Sequence, residues 1–263
     1  MGDAEPQFLD VEGRKIAVIS EQGTQGADGL PGSAGTGLFW LPGFKSDMAS
    51  TKVLALAEFA RGRYGMTRFD YSGHGLSGGA FEDGTIGQWL DEAEAVFRAE
   101  TRGPQVVVGS SMGGYIALLL LRRLLAEVPG EAARIKALVL IAPAWDMTEA
   151  LMWRQFTAEQ RAHLMDEGYY LRPSEYGEPY KITRTLIEEG RAHLLAGKPF
   201  DPGRPVHVLQ GLLDDAVPAE HSRELAEILT GGHLTIEEVA DGDHRLSRAQ
   251  DVERLKVVVK GLA

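Results

Sequence analysis

Three short runs, Thr67-Arg68-Phe69-Asp70-Tyr71, Gln105-Val106-Val107-Val108-Gly109 and Lys136-Ala137-Leu138-Val139-Leu140-Ile141-Ala142, show almost no polar alternation. A strand with one wet face alternates apolar and polar residues, whereas a strand covered on both faces does not. Helical patterns separate the runs: 50–64 lies before strand 66–71, 85–100 before strand 105–109, and 112–127 before strand 136–142. Parallel strands need such crossovers, so the chain predicts an α/β fold with a mostly parallel, doubly wound sheet.

Residues 14–20 and 37–41 also read as strands, and the Gly-rich stretch 22–37 between them as a flexible hairpin tip. After residue 200, strand 205–210, helix 219–230, strand 233–239 and helix 248–261 resume the sheet pattern. Residues 145–200 hold helical patterns and no convincing strand. Aromatics crowd that stretch: Trp145, Trp153, Phe156, Tyr169, Tyr170, Tyr176, Tyr180 and Phe200. A segment that leaves one sheet and returns to it is an insertion. The expectation is a core of 1–144 and 201–263 with a helical cap insertion over 145–200.

The sharpest local feature is Gly109-Ser110-Ser111-Met112-Gly113, between the strand QVVV and an apolar helix. A serine in so tight a strand-to-helix turn is forced into a strained backbone, and flanking glycines let neighbouring chain pass without a Cβ clash. The turn presents Oγ at the carboxyl end of the sheet, beside a helix N-terminus that favours developing negative charge. Ser111 is the candidate nucleophile. Ser110 is the alternative, without glycines two residues away on both sides.

A serine hydroxyl needs a base, and the base needs an acid to orient it. With the order serine, acid, histidine, His74, His163, His193 and His207 all come too early. The acid candidate follows the strand at 205–210, in Gly211-Leu212-Leu213-Asp214-Asp215-Ala216-Val217-Pro218. Asp214 is favoured over its neighbour Asp215, and Asp146 is a weaker rival. Among the later histidines, His221 sits in a helical first turn and His233 in a glycine turn. His244, in the loop after the last strand, is the candidate base. In Leu41-Pro42-Gly43-Phe44-Lys45-Ser46 the backbone N–H of Phe44 can join that of Met112 as an oxyanion hole.

The segment Asp70-Tyr71-Ser72-Gly73-His74-Gly75-Leu76-Ser77-Gly78 contains a literal G-x-G-x-x-G. No second strand ends in an acid about 20 residues on, and no helix follows at once, so a dinucleotide site is not expected. The turn is expected to shape the floor beside the active site, with Asp70 and His74 bonded within it. No metal-ligand spacing stands out, cysteine is absent, and no cofactor is expected. A formal charge of −11 argues against a nucleic-acid partner. The apolar runs 115–121 and 137–145 are too short to span a membrane. The N-terminal residues lack the basic and apolar stretches of a secretory signal, so a soluble, cytoplasmic protein is expected.

Together the stretches LPGF, RFDYSGHGLSGG, VVVGSSMGGYIALL, LLDDAVP and GDHRLS resemble the α/β-hydrolase superfamily. The nearer likeness is to its mitochondrial abhydrolase group, which includes a palmitoyl-protein thioesterase and an acyl-glucuronide esterase. That resemblance implies the α/β-hydrolase fold, triad roles for Ser111, Asp214 and His244, and oxyanion roles for Phe44 and Met112. The presequence of organellar members is not apparent, so a bacterial-type cytoplasmic relative is expected. The expected activity is hydrolysis of a carboxylic ester or thioester in a small-molecule or acylated substrate, through an acyl-enzyme. Trp145, Trp153 and Tyr115 are candidate substrate contacts, and Arg154, Arg172, Arg184 and Arg191 are candidates to meet an acidic moiety. Two alternatives remain open: a C–C bond hydrolase of the same fold, and a ligand receptor with a vestigial site.

Overall fold

Eight strands form one sheet in the computed structural model, which describes residues 5–23, 35–173 and 179–263. Most of the expected Gly-rich hairpin tip, and Tyr176, lie outside the described residues. The strands in the first half are β1 (Gln7–Val11), β2 (Arg14–Glu21), β3 (Gly37–Leu41), β4 (Gly65–Phe69), β5 (Gln105–Ser110) and β6 (Ile135–Ile141). Then come β7 (Tyr169–Arg172), β8 (Tyr180–Thr183), β9 (Val206–Gly211) and β10 (Leu234–Val239). The sheet order is β1-β2-β4-β3-β5-β6-β9-β10, with β7 and β8 paired separately. From β4 to β10 the sheet is parallel, while β1 and β2 join it as antiparallel strands.

The crossovers are α1 (Thr51–Ala60), α2 (Ile86–Glu100), and α3 (Met112–Glu127) with the short α4 (Pro129–Ala132). Alternation along each strand sorts side chains into two cores. Leu38, Trp40, Val106, Val108, Val139, Ile141 and Leu209 pack with α1 and with Leu255 and Val259 near the C-terminus. Phe39, Leu41, Val107, Leu138, Leu140 and Val208 pack the other face against Trp89 and Phe97 of α2 and Ile116 and Leu120 of α3. Both faces are dry, which is why the strand sequences show no polar period. Burying each large side chain of this kind contributes about 1.5–3 kcal/mol.

The described residues between β6 and β9 add no strand to the large sheet. They hold a wide π-type turn at Met147–Met152, α5 (Ala158–Glu167) and α6 (Arg184–Gly190). The expectation that this segment lacks strands needs correcting, because β7 and β8 form an antiparallel hairpin with Tyr169 opposite Thr183. Each strand has four residues, too few for a two-residue period to emerge, and their pairing is a contact between separated segments. The helix expected over 219–230 is two short pieces, α7 (Ala219–Arg223) and α8 (Leu225–Ile228), before α9 (Ala249–Leu262) closes the fold.

Candidate active site

Strand order reverses between β3 and β5, since β4 lies beyond β3 on one side and β6 beyond β5 on the other. Loops leaving such neighbours at their carboxyl ends splay apart and open a crevice. Leu41 pairs with Gly109, so the loop 42–46 and the turn at Ser111 emerge side by side. On the same edge Val239 pairs with Gly211, which brings the loops after β9 and β10 together.

Ser111 has φ 55° and ψ −118°, a conformation costly for a residue with a Cβ, on the order of 1–3 kcal/mol. The turn is held on both sides. The Ser111 amide donates to Ile141 O at 2.8 Å, and Ser111 O accepts from the amides of Gly114 (2.9 Å) and Ala144 (3.1 Å). A Cβ on Gly109 would run into the backbone of Gly113 and Gly114, and one on Gly113 into that of Leu41 and Pro42. The glycine spacing thus serves close packing of helix α3 on strands β3 and β5.

His244 Nε2 lies 3.1 Å from Ser111 Oγ, and His244 Nδ1 lies 2.8 Å from Asp214 Oδ2. The other carboxylate oxygen of Asp214 accepts from the amides of Ala216 (2.9 Å) and Val217 (2.8 Å). The Asp214 side chain has no exposed surface, while His244 keeps 30 % of its side chain open to solvent. Asp215 is exposed. Gln210, fully buried, donates to Val217 O and accepts from Ser222 Oγ, and so anchors the base of the acid loop. A Cβ on Gly211 would sit 2.6 Å from Asp243 O, so the histidine loop rests directly on the end of β9.

The other candidates are engaged elsewhere. Asp146 is buried, and its carboxylate accepts from the amides of Leu195 (2.7 Å) and Ala196 (3.0 Å). His221 stacks on Trp145 at 4.4 Å and bonds its carbonyl at 2.8 Å. His233 faces Asp201 at 3.5 Å, His207 faces Glu237 at 3.2 Å, and His193 faces Glu189 at 2.6 Å. Among the described residues, the amides of Phe44 and Met112 have no protein acceptor, which leaves both N–H groups available.

Of the candidate substrate contacts, Tyr115 has no exposed surface, and its hydroxyl donates to His193 O at 2.9 Å. Trp145 is nearly as buried, with its indole N–H on His221 O at 2.7 Å. Packing and hydrogen bonding occupy both. Trp153 is half-buried, with the guanidinium groups of Arg161 and Arg191 over its ring at 5.2 and 5.0 Å.

The glycine turn after β4, expected to bond Asp70 and His74 within itself beside the site, also reaches out to the chain after β3. Asp70 accepts from the amides of Met48 (2.7 Å) and Leu76 (2.8 Å). His74 Nδ1–H donates to Ser72 O (3.0 Å), and its Nε2 accepts the amide of Lys45 at 3.1 Å. Burial, with the nearby Lys45 charge adding to it, lowers the His74 pKa from its ordinary value, in keeping with an Nε2 that accepts an amide. His74 therefore fixes the chain at Lys45, the residue next to the candidate oxyanion donor Phe44. The available signal was His74 itself, buried between glycines where a phosphate loop has no use for it.

No group of three or more His, Asp or Glu suited to a metal ion occurs among the described residues. Nor is any described helix long and apolar enough to cross a membrane.

The alpha/beta hydrolase family model matches residues 30–255. Palmitoyl-protein thioesterase ABHD10, mitochondrial, of Homo sapiens is 31% identical over 229 residues, covering 86% of this chain and 72% of that protein. A crystal structure from Agrobacterium vitis S4 aligns at TM-score 0.90 and 40% identity, over 98% of each chain. Alpha/beta hydrolase domain-containing protein 10 from mouse aligns at TM-score 0.83 and 26% identity, over 98% of each chain. These relatives overturn the expected cytoplasmic location: the curated matches from cattle and human are named as mitochondrial. The expectation rested on missing secretory-signal features, and those speak only to the secretory route. With a family model matched across most of its length and a fold shared with these hydrolases, the chain belongs to the alpha/beta hydrolase family.

Proposed function

We propose that this enzyme hydrolyses a carboxylic ester or thioester through an acyl-enzyme on Ser111, with His244 as base and Asp214 as its orienting acid. The observation that carries this reading is the continuous hydrogen-bonded line from Asp214 Oδ2 through His244 to Ser111 Oγ, 2.8 Å and 3.1 Å long. Asp214 selects the tautomer with the proton on Nδ1, so Nε2 is free to accept the serine proton. As Oγ bonds to the carbonyl carbon, charge develops on the carbonyl oxygen, and the amides of Phe44 and Met112 stabilise it. His244 then returns the proton to the departing alcohol or thiol. Water enters, loses a proton to His244 and attacks the acyl carbon, which restores Ser111 and releases the acid.

The kinship with a palmitoyl-protein thioesterase supports an acylated substrate. We read residues 145–200 as a cap inserted into a core of 1–144 and 201–263. Asp146 near its start holds Leu195 and Ala196 near its end, which closes the excursion on itself. Trp153, which keeps some exposed surface, is the aromatic of that cap retained as a substrate contact.

Initial rates on esters and thioesters of graded acyl length test the reading. Turnover by the wild type, and a fall of about 10⁴-fold or more for Ser111→Ala with unchanged circular dichroism, are expected. Activity surviving in Ser111→Ala, or a wild type inert toward every ester and thioester, would overturn it.

A further inference from the structure

The loop that carries His244 is pinned from below by a lysine of α1. Lys52 is 9% exposed, and its ammonium donates to the carbonyl of Arg245, the residue directly after His244. Ser247 Oγ lies 3.4 Å from the same nitrogen and itself donates to Arg245 O at 3.0 Å. On the other side of that peptide unit, Asp243 Oδ1 accepts the Leu246 amide at 2.9 Å. The peptide between Arg245 and Leu246 is therefore held at its oxygen by Lys52 and at its nitrogen by Asp243. It needs holding, because Leu246 has φ 43°, a left-handed conformation unfavourable for a branched side chain.

We propose that Lys52 is a positioning residue for His244, fixing the Arg245 carbonyl and with it the angle at which the imidazole meets Ser111. The proposal rests on the catalytic reading of Ser111, His244 and Asp214 given above. A buried ammonium is costly unless a built partner compensates it, and an apolar side chain at this helix position would pack without that cost. The charged groups facing Lys52 are Asp243 and Asp251, which favour its charge, and Arg245, which opposes it. Asp251 is shared with Arg248 at 2.8 Å. Burial, with Arg245 acting in the same direction, outweighs the two carboxylates and lowers the Lys52 pKa from 10.5 to about 8. Below that pH the cation grips the carbonyl dipole; above it a neutral amine donates more weakly.

The test compares the wild type with Lys52→Met and Lys52→Gln. Steady-state ester hydrolysis is followed across the alkaline range, with the His244 imidazole resonance read by NMR and assigned from a His244→Asn spectrum. Loss of the ammonium should lower kcat by about tenfold to a hundredfold, the cost of a small misplacement of a catalytic group, with KM little changed. The wild-type kcat should decline above pH 8, and this limb should be missing from both variants. The His244 resonance should shift in both. Should Lys52→Met fail to fold, Lys52→Gln, which keeps a donor, still decides the matter. A folded variant with wild-type kcat, pH profile and His244 resonance overturns the proposal. If the wild type cleaves no ester, the catalytic reading fails on its own, and the His244 resonance still reports whether Lys52 orients that side chain.

Discussion

His74 and His221 lie outside the Ser111–His244–Asp214 line, yet both are buried and their pKa values are lowered chiefly by that burial. In the unfolded chain each titrates near 6.5, whereas the folded chain resists protonation until lower pH. Just below 6.5 the unfolded state binds more protons, so stability should fall as the pH drops from 6.5 toward the lowered values. The slope is at most about 1.4 kcal/mol per pH unit for each group. Urea midpoints at pH 7.5 and 5.5 check this, and His74→Gln, which keeps an acceptor for the Lys45 amide, should flatten the dependence. Equal midpoints at both pH values would refute it. Single residues were legible where sterics alone chose them. Ser111 stands out because a Cβ at 109 or 113 would strike backbone. Tyr115 did not reveal its burial, because one aromatic serves a pocket or a core equally well.

Among elements, long periodic segments were readable and short ones were not. Helices α2 and α3 run 15 and 16 residues, long enough for an apolar stripe to show. The pair of β7 and β8 is built from four-residue strands that lie apart in the sequence, so no local pattern announced it. The same segment carries its own tether. Asp146 sits at φ 50° and accepts two amides from the far end of the excursion. Asp146→Ala strands the amide of buried Leu195, frees that of Ala196 and puts alanine in a left-handed conformation, at a cost of about 2–3 kcal/mol. Limited proteolysis should then cut within residues 147–195 faster than in the wild type, and Asp146→Asn should recover part of the protection. Cleavage rates identical in all three proteins would contradict the tether.

For the molecule as a whole, one sheet separates two cores, and every central strand contributes to both. Neither layer has a sheet of its own, so the two should unfold together. Leu140→Ala in one core should cost about 2–5 kcal/mol, and Val139→Ala in the other should lower the same transition. Trp40 reports from one side and Trp89 from the other. Tryptophan fluorescence and circular dichroism should coincide in urea for both variants. Two resolved transitions in Leu140→Ala would show the layers to be independent.

The chain alone determined whatever depends on near neighbours: doubly covered strands, crossover helices, and a serine squeezed between glycines. It also supplied a short list of acids and bases from the order of elements. Tertiary structure decided which of these meet. Residues 111, 214 and 244 converge because β5, β6, β9 and β10 lie side by side with their carboxyl ends on one edge, an order no local pattern encodes. It chose Asp214 over Asp215 by turning one carboxylate inward onto two amides and leaving the other in water. It also enlisted Lys52 and His74, whose tasks exist only where distant loops touch.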